Sequence, residues 1–407
     1  MKKKYGTVFP GKRDQYQIPI VLYEDQRLDF FITDIYKTNL FKFLFKFFGI
    51  ESLLNKRFSK SLEFAKIEAY PFFSILNPLL KRIYPKSKVS VWEDYWFSYL
   101  AQRNAKKSKS SLILYEFQAE YAFKQKYNFP LRKILFQFHP HPIWEHPILL
   151  ADATFSDQLY QEVLSNTRNN LPDRYKYHTY HSWVNADHVI VASGITKHSL
   201  VMAGCPEDKI TIIPYGINTS EIIFSEVFDP PAEVKPFFLF VGSGSQRKGL
   251  HRLCNAWAHS GLSSEFNLVV IARTVEPFLE DFLNKPGIKW IKGVEKLTLD
   301  WYYRNAICFV MPSLSEGFGQ VYLEALANGC PIIGSANSML PDIPNGIKQI
   351  ILVNPIDELE ISNALLKVSK LPMGDLFFNK DLNKSLIIPF SWDNFDNKIK
   401  EILSNLD

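Results

Sequence analysis

The chain has 407 residues, enough for two ordinary domains with a core each, and its 46% hydrophobic and 22% charged residues exclude a disordered polypeptide. Four cysteines, Cys205, Cys254, Cys308 and Cys330, lie scattered without CxxC or metal-ligand spacing, which excludes a disulfide scaffold and points to reduced thiols. The basic start MKKKYGTVFPGKRD lacks the apolar segment of a signal peptide, and no uncharged run reaches membrane-spanning length, so a cytoplasmic chain is expected.

The net charge of +5 hides an asymmetry. Residues 1–110 carry 21 Lys and Arg against 10 Asp and Glu, whereas the remainder carries 26 against 32. The basic residues do not alternate with aromatics as in an RNA-binding motif, so nucleic acid is not an expected partner. An anionic membrane surface or an acidic glycan is the expected contact of the first quarter, with a peripheral position on the inner membrane face.

In chain order, KYGTVFP reads as a first strand. GKRDQYQIPIVLYED follows as a loop leading into a helix, with Asp14 as its N-cap, and RLDFFITDIY as a second strand. In NLFKFLFKFF, residues 39–48, Lys42 and Lys46 share one helical face with phenylalanines around the rest. Two readings stand for it, a patch resting on a membrane or a helix packed in the core. SLILYEFQ and KILFQFH are later strands of the same sheet. His139 comes directly after the second of these, where open α/β sheets bind ligands, and His141 stands two residues on. No cysteine or acidic triad completes a metal set around the His-Pro-His-Pro run. Then come the strand HVIVAS, a helix from about Thr196, the strand KITIIPYG with a turn at Tyr215-Gly216, and a Pro-rich linker over 227–236.

FFLFVGSGSQRKGLHRL opens a second strand, glycine loop and helix unit. It fits neither GxGxxG nor GxxxxGK[ST], which disfavours a nicotinamide enzyme or a Walker-type phosphate loop. FNLVVIART and GIKWIKGVEKLTLDWYYRNA continue the alternation. The stretch Cys308–Ser335, CFVMPSLSEGFGQVYLEALANGCPIIGS, gives a buried strand, a loop with Gly317 and Gly319, a helix opening at about Gln320 and ending at Asn328-Gly329, and another strand. Free N–H groups at the helix start favour an anion. Glu324 lies in an otherwise apolar helix, where an unpaired buried charge costs several kcal/mol, roughly, so it faces a ligand or pairs with a distant cation. Glu316 precedes the helix and either caps it or meets the same ligand. Carboxylates accept hydrogen bonds from hydroxyls, and the helix start takes phosphate, so together they suit a nucleotide sugar.

SEGFGQVYLEALANGCPII resembles the Glu-x7-Glu segment of retaining glycosyltransferases of family 4, which have the GT-B fold. The likeness covers most of residues 180–405 and extends weakly over the first 150. It implies an α/β protein of two Rossmann-like domains facing a central cleft. Residues 1–215 would bind the acceptor, residues 216–390 the nucleotide sugar, and the helix 391–407 would cross back to the first domain. It also implies roles. Lys248, in the Lys-Gly loop, and Arg247 hold the diphosphate, although Ser243 stands where relatives have Arg. Gly242 and the Gly317-Phe318-Gly319 amides lie against the phosphates, and Val294 near the base. Glu316 orients the donor sugar, Glu324 the ribose, and His139 the sugar from the other domain. Gly11 approaches the donor phosphates or is simply a turn residue, since the family's paired glycines are absent.

The resemblance thus implies a retaining transfer of sugar from a nucleotide diphosphate to a glycan or lipid-linked acceptor. Glu316, Lys248 and His139 would be central to it. No Asp-x-Asp pair is present, so no metal and no other cofactor is expected. The alternative is a non-catalytic nucleotide-sugar or glycan-binding scaffold of the same fold.

Overall fold

The computed structural model describes residues 2–37, 57–84, 86–155, 181–217, 235–344, 349–371 and 387–407. The amphipathic segment 39–48 and most of the linker 227–236 lie outside these residues.

Two all-parallel sheets dominate. The first holds β1 (Tyr5–Val8), β2 (Leu28–Thr33), β3 (Ile67–Ala69), β4 (Ser111–Tyr115), β5 (Lys133–Gln137), β6 (His188–Val191) and β7 (Ile210–Ile212), in the order β3-β2-β1-β4-β5-β6-β7. The second holds β8 (Phe237–Val241), β9 (Asn267–Ile271), β10 (Ile288–Ile291), β11 (Cys308–Met311), β12 (Ile332–Ser335) and β13 (Ile350–Val353), in the order β10-β9-β8-β11-β12-β13. The central strands are apolar along their length because helices cover both faces. Every residue of β8, FFLFV, and of β11, CFVM, is buried. Aromatic side chains fill the space between layers, with Trp257 fully buried against Phe238 at a ring separation of 5.8 Å.

Each sheet order reverses once, at the β1/β4 pair in the first and the β8/β11 pair in the second. Helices leaving the two strands of such a pair go to opposite faces, so a crevice opens at their C-terminal ends. The loops after β1, β4, β8 and β11 therefore border that crevice, and the loop after β5 lies beside them.

The closing helix Trp392–Asn405 packs on the helix Gln17–Glu24 of the first sheet. The Gln17 amide donates to both carboxylate oxygens of Asp396, at 2.7 and 2.9 Å. Buried Arg27 makes a two-pronged pair with Asp407, both contacts at 2.7 Å.

The loop after β1 departs from the sequence expectation. Asp14 caps no helix; Asp14, Gln15 and Tyr16 take left-handed backbone angles with φ of 47°, 54° and 68°, and the helix begins only at Gln17. Each such non-glycine residue costs roughly 1–2 kcal/mol. Packing offsets it: the Tyr16 ring is fully buried among Phe9, Phe31 and Tyr36, and the Tyr115 hydroxyl donates to Asp14 Oδ2 at 2.7 Å.

Candidate functional site

The two switch-point crevices face each other. A cavity of about 210 Å3 lies between them, lined from the first sheet by Arg13, Asp14, Phe138, His139 and Tyr215, and from the second by Arg247, Lys248, Glu316, Phe318, Gly319, Gln320 and Val321. Lys248 sits in a short turn after β8 that ends in left-handed Gly249 and leads into the helix Leu250–Ser260. Burial, reinforced by the neighbouring Arg247 charge, pulls the Lys248 ammonium well below its ordinary range. Its Nζ meets Glu316 Oε2 directly, which offsets part of that burial cost. Arg247 stands 4.0 Å from the other Glu316 oxygen and donates to the Ser315 carbonyl at 3.3 Å. Glu316 does not cap the following helix, whose N-terminus at Gly319 has no side-chain cap. The Tyr322 amide donates to the Gly319 carbonyl at 2.9 Å, while the Gln320 and Val321 amides, with no side-chain cap, begin the helix beside two cations.

From the first sheet, His139 Nδ1 faces Glu116 Oε1 at 2.5 Å. Glu116 is buried at the end of β4, so the carboxylate fixes the ring's orientation while the other ring nitrogen is left to a ligand. His141 has turned away; it is buried, caps the helix Pro142–Asp152 by accepting from the Ile143 amide, and its own amide donates to Ser199. The Arg13 guanidinium lies 3.9 Å from the Phe138 ring centre and 5.3 Å from that of Tyr115. Burial raises the pKa of Asp14, with the Tyr115 hydroxyl opposing that rise.

Glu324 lines a second and larger cavity of about 490 Å3, between Gln15, Gln17 and Ile20 on one side and Lys296, Asp300 and Gln320 on the other. The Tyr303 hydroxyl donates to it at 3.2 Å and Lys296 stands 3.7 Å away. Burial raises its pKa against the opposing pull of Lys296. It thus has the cation partner that one sequence reading gave it, and it also lines the cavity.

Gly242 and Val294 stand after β8 and β10 and line neither cavity. Gly11 offers no spare amide, because its N–H donates to Asp34 Oδ1 at 2.8 Å, as a turn residue would.

Gly317 lies at the junction between the sheets. Its carbonyl accepts from the hydroxyls of Ser193 and Thr196, the latter at 3.1 Å. Further contacts cross beside it. The Ser315 hydroxyl donates to Glu145 at 2.7 Å, and the Gly194 amide to Asp342 at 2.7 Å. Burial alone would raise Asp152, but His251, Gln246 and Arg252 of the other sheet overcome this and hold it below the ordinary range. Their contacts with it lie at 3.0, 2.9 and 2.8 Å.

Residues 225–376 match the family described as glycosyl transferases group 1. The matched stretch contains all six strands of the second sheet. The O-antigen chain mannosyltransferase RfbU of Salmonella typhimurium is 27% identical over 203 residues, 47% of this chain and 54% of the relative. The putative colanic acid biosynthesis glycosyltransferase WcaL of Escherichia coli is 26% identical over 207 residues, 47% and 49% of the two chains. The chain spans about half the length of the curated relatives it matches. Among solved structures, sucrose-phosphate synthase from Thermosynechococcus elongatus superposes with a TM-score of 0.62 at 16% identity over 100% of this chain and 99% of that one. Anabaena Alr3699/HepE in complex with UDP gives 0.57 at 13% identity over 100% of both chains. The fold is GT-B, as the sequence resemblance implied.

Glu116, Arg13, Tyr115 and Asp152 escaped the sequence reading, and Asp14 entered it only as a helix cap. A carboxylate one residue past an apolar strand, as in SLILYE, was the available signal for Glu116.

Proposed function

We propose that this protein transfers a sugar, with retention at the anomeric carbon, from a nucleotide diphosphate to a glycan or lipid-linked acceptor on the cytoplasmic side. The observation that carries the reading is the cavity in which Lys248, Arg247 and the open start of the helix Gln320–Ala327 face His139 and Arg13 of the other sheet. A departing diphosphate gains negative charge, and cations and amides held in the cleft stabilise it. In this reading Lys248 leaves Glu316 for the diphosphate, and Glu316 turns to the hydroxyls of the donor sugar. Glu324 holds the ribose in the adjoining cavity, and His139, held by Glu116, contacts the sugar from the acceptor side. The bond from the anomeric carbon to the diphosphate oxygen breaks, and a bond to the acceptor oxygen forms on the same face. The acceptor proton passes to the departing phosphate. With protein cations doing the neutralisation, transfer needs no divalent metal.

The test is a panel of nucleotide sugars in excess EDTA, with NMR of the first-formed product. Transfer or slow donor hydrolysis with the configuration kept is expected. An inverted product, or activity restored only by Mg2+ or Mn2+, overturns the mechanism. Donor binding without turnover for any acceptor identifies a binding scaffold instead.

A further inference from the structure

The helix Phe72–Ile83, FFSILNPLLKRI, is unusual in what it leaves outside. Phe72, Ile75, Leu79 and Ile83 recur at spacings of three and four, so they share one face, and they are 57%, 60%, 55% and 64% exposed. Tyr84 continues the stripe and meets Trp92 edge-on at 5.1 Å, and both rings are also exposed. Apolar side chains exposed singly on a soluble surface need no explanation; six in one patch imply something that covers them.

The charge around the patch selects the occupant. From residue 69 to residue 92 the sequence has no acidic residue and four basic ones. Lys81 and Arg82 stand exposed in the last turn of the helix. An apolar stripe beside cations, with Tyr and Trp at its edge, fits a layer with an anionic surface over an apolar interior. No described helix is long and apolar enough to cross a membrane, so the contact is one of lying on the surface. We propose that the exposed face of the helix Phe72–Ile83, with Tyr84 and Trp92, docks this protein onto an anionic lipid surface. This is a different segment from 39–48, which reads in sequence as either a membrane patch or a core helix, and its docking role is independent of the sugar-transfer reading.

The full chain is sedimented with phosphatidylcholine vesicles with or without phosphatidylglycerol, at low and high salt. The expected result is binding to the anionic vesicles only, weakened by salt. Lys81→Gln with Arg82→Gln should weaken it roughly fivefold per cation removed. Ile75→Ser with Leu79→Ser should lose it at least tenfold, without lowering the melting temperature, because both side chains already face outward. Absence of binding at low salt, equal binding to neutral vesicles, or binding unchanged in the Ile75/Leu79 variant overturns the proposal. So does a dimer in analytical ultracentrifugation that the same variant dissolves, since a second copy would then cover the patch. None of these outcomes bears on Lys248 or Glu316.

Discussion

Gly317 is pressed against Phe138: a Cβ built on the glycine would stand 1.9 Å from the Phe138 carbonyl oxygen. No side chain fits there unless the two sheets move apart, so the loop that presents Glu316 is seated on the strand end that presents His139. Gly317→Ala is therefore expected to loosen the closed arrangement while each domain stays folded. Affinity for a nucleotide diphosphate should fall about tenfold or more, equivalent to about 1.4 kcal/mol. Calorimetric titration, with small-angle scattering to show the wider particle, checks this; unchanged affinity and radius would refute it.

In the proposed reaction Glu116 works through His139, whose Nδ1 faces it at 2.5 Å. Glu116→Gln keeps the size and removes the charge that orients the ring, and loss of a charged hydrogen bond of this kind is worth about 1.5–3 kcal/mol. The turnover rate should drop roughly 10- to 100-fold with little change in nucleotide affinity. A fall in nucleotide affinity equal to the fall in rate would place His139 elsewhere.

Glu324→Ala removes the carboxylate between Tyr303 and Lys296 in the larger cavity. Nucleotide diphosphate affinity should fall by about 1–3 kcal/mol, with the fold intact. A folded variant that binds nucleotide as the parent does would contradict the ribose contact.

Gln15 is exposed and left-handed at φ 54°. Glycine reaches that region without strain, so Gln15→Gly should be neutral or stabilising by about 0.5–1 kcal/mol, where glycine ordinarily destabilises. Urea denaturation of the two proteins decides it, and a loss above 1 kcal/mol would show that the side chain matters more than the backbone.

Burial lifts Asp396 to about 6 from its model-compound value of 3.8, with Gln17 opposing the rise. Because the folded value is the higher one, its contribution to stability is fully present below pH 3.8 and is lost as pH rises through 6. The loss amounts to a few kcal/mol at most, roughly. Asp396→Asn escapes it, so the variant should be the more stable at pH 7, with the difference closing near pH 4. Parallel denaturation curves at both values test this, and an equal difference at the two would refute it.

The alternation of strands and helices was legible in the chain because β8, β11 and β12 are runs of apolar residues with nothing else to do. The Glu-x7-Glu loop was legible because glycines and carboxylates stand out in such surroundings. What local pattern could not supply was pairing across distance. Nothing in KRDQYQ signals three left-handed residues, since the conformation is enforced by Tyr115 and by the Tyr16 ring, far away in sequence or buried. Glu116 and Asp152 acquire meaning only from His139 and from His251 with Arg252. The stripe on Phe72–Ile83 has no distinguishing mark in the sequence, because only the fold decides that it stays outside.

The chain passes between the sheets twice, and the two passages are fastened together. Ile217 pairs with Ser391 in a parallel bridge, and the Ile217 amide donates to the Phe390 carbonyl at 2.8 Å. Gly216 lies so close that a Cβ there would be 2.4 Å from the Trp392 nitrogen. A single tether would let one body swivel and drift about the other. Two stretches of backbone joined side by side at this point resist twist and separation where one would not.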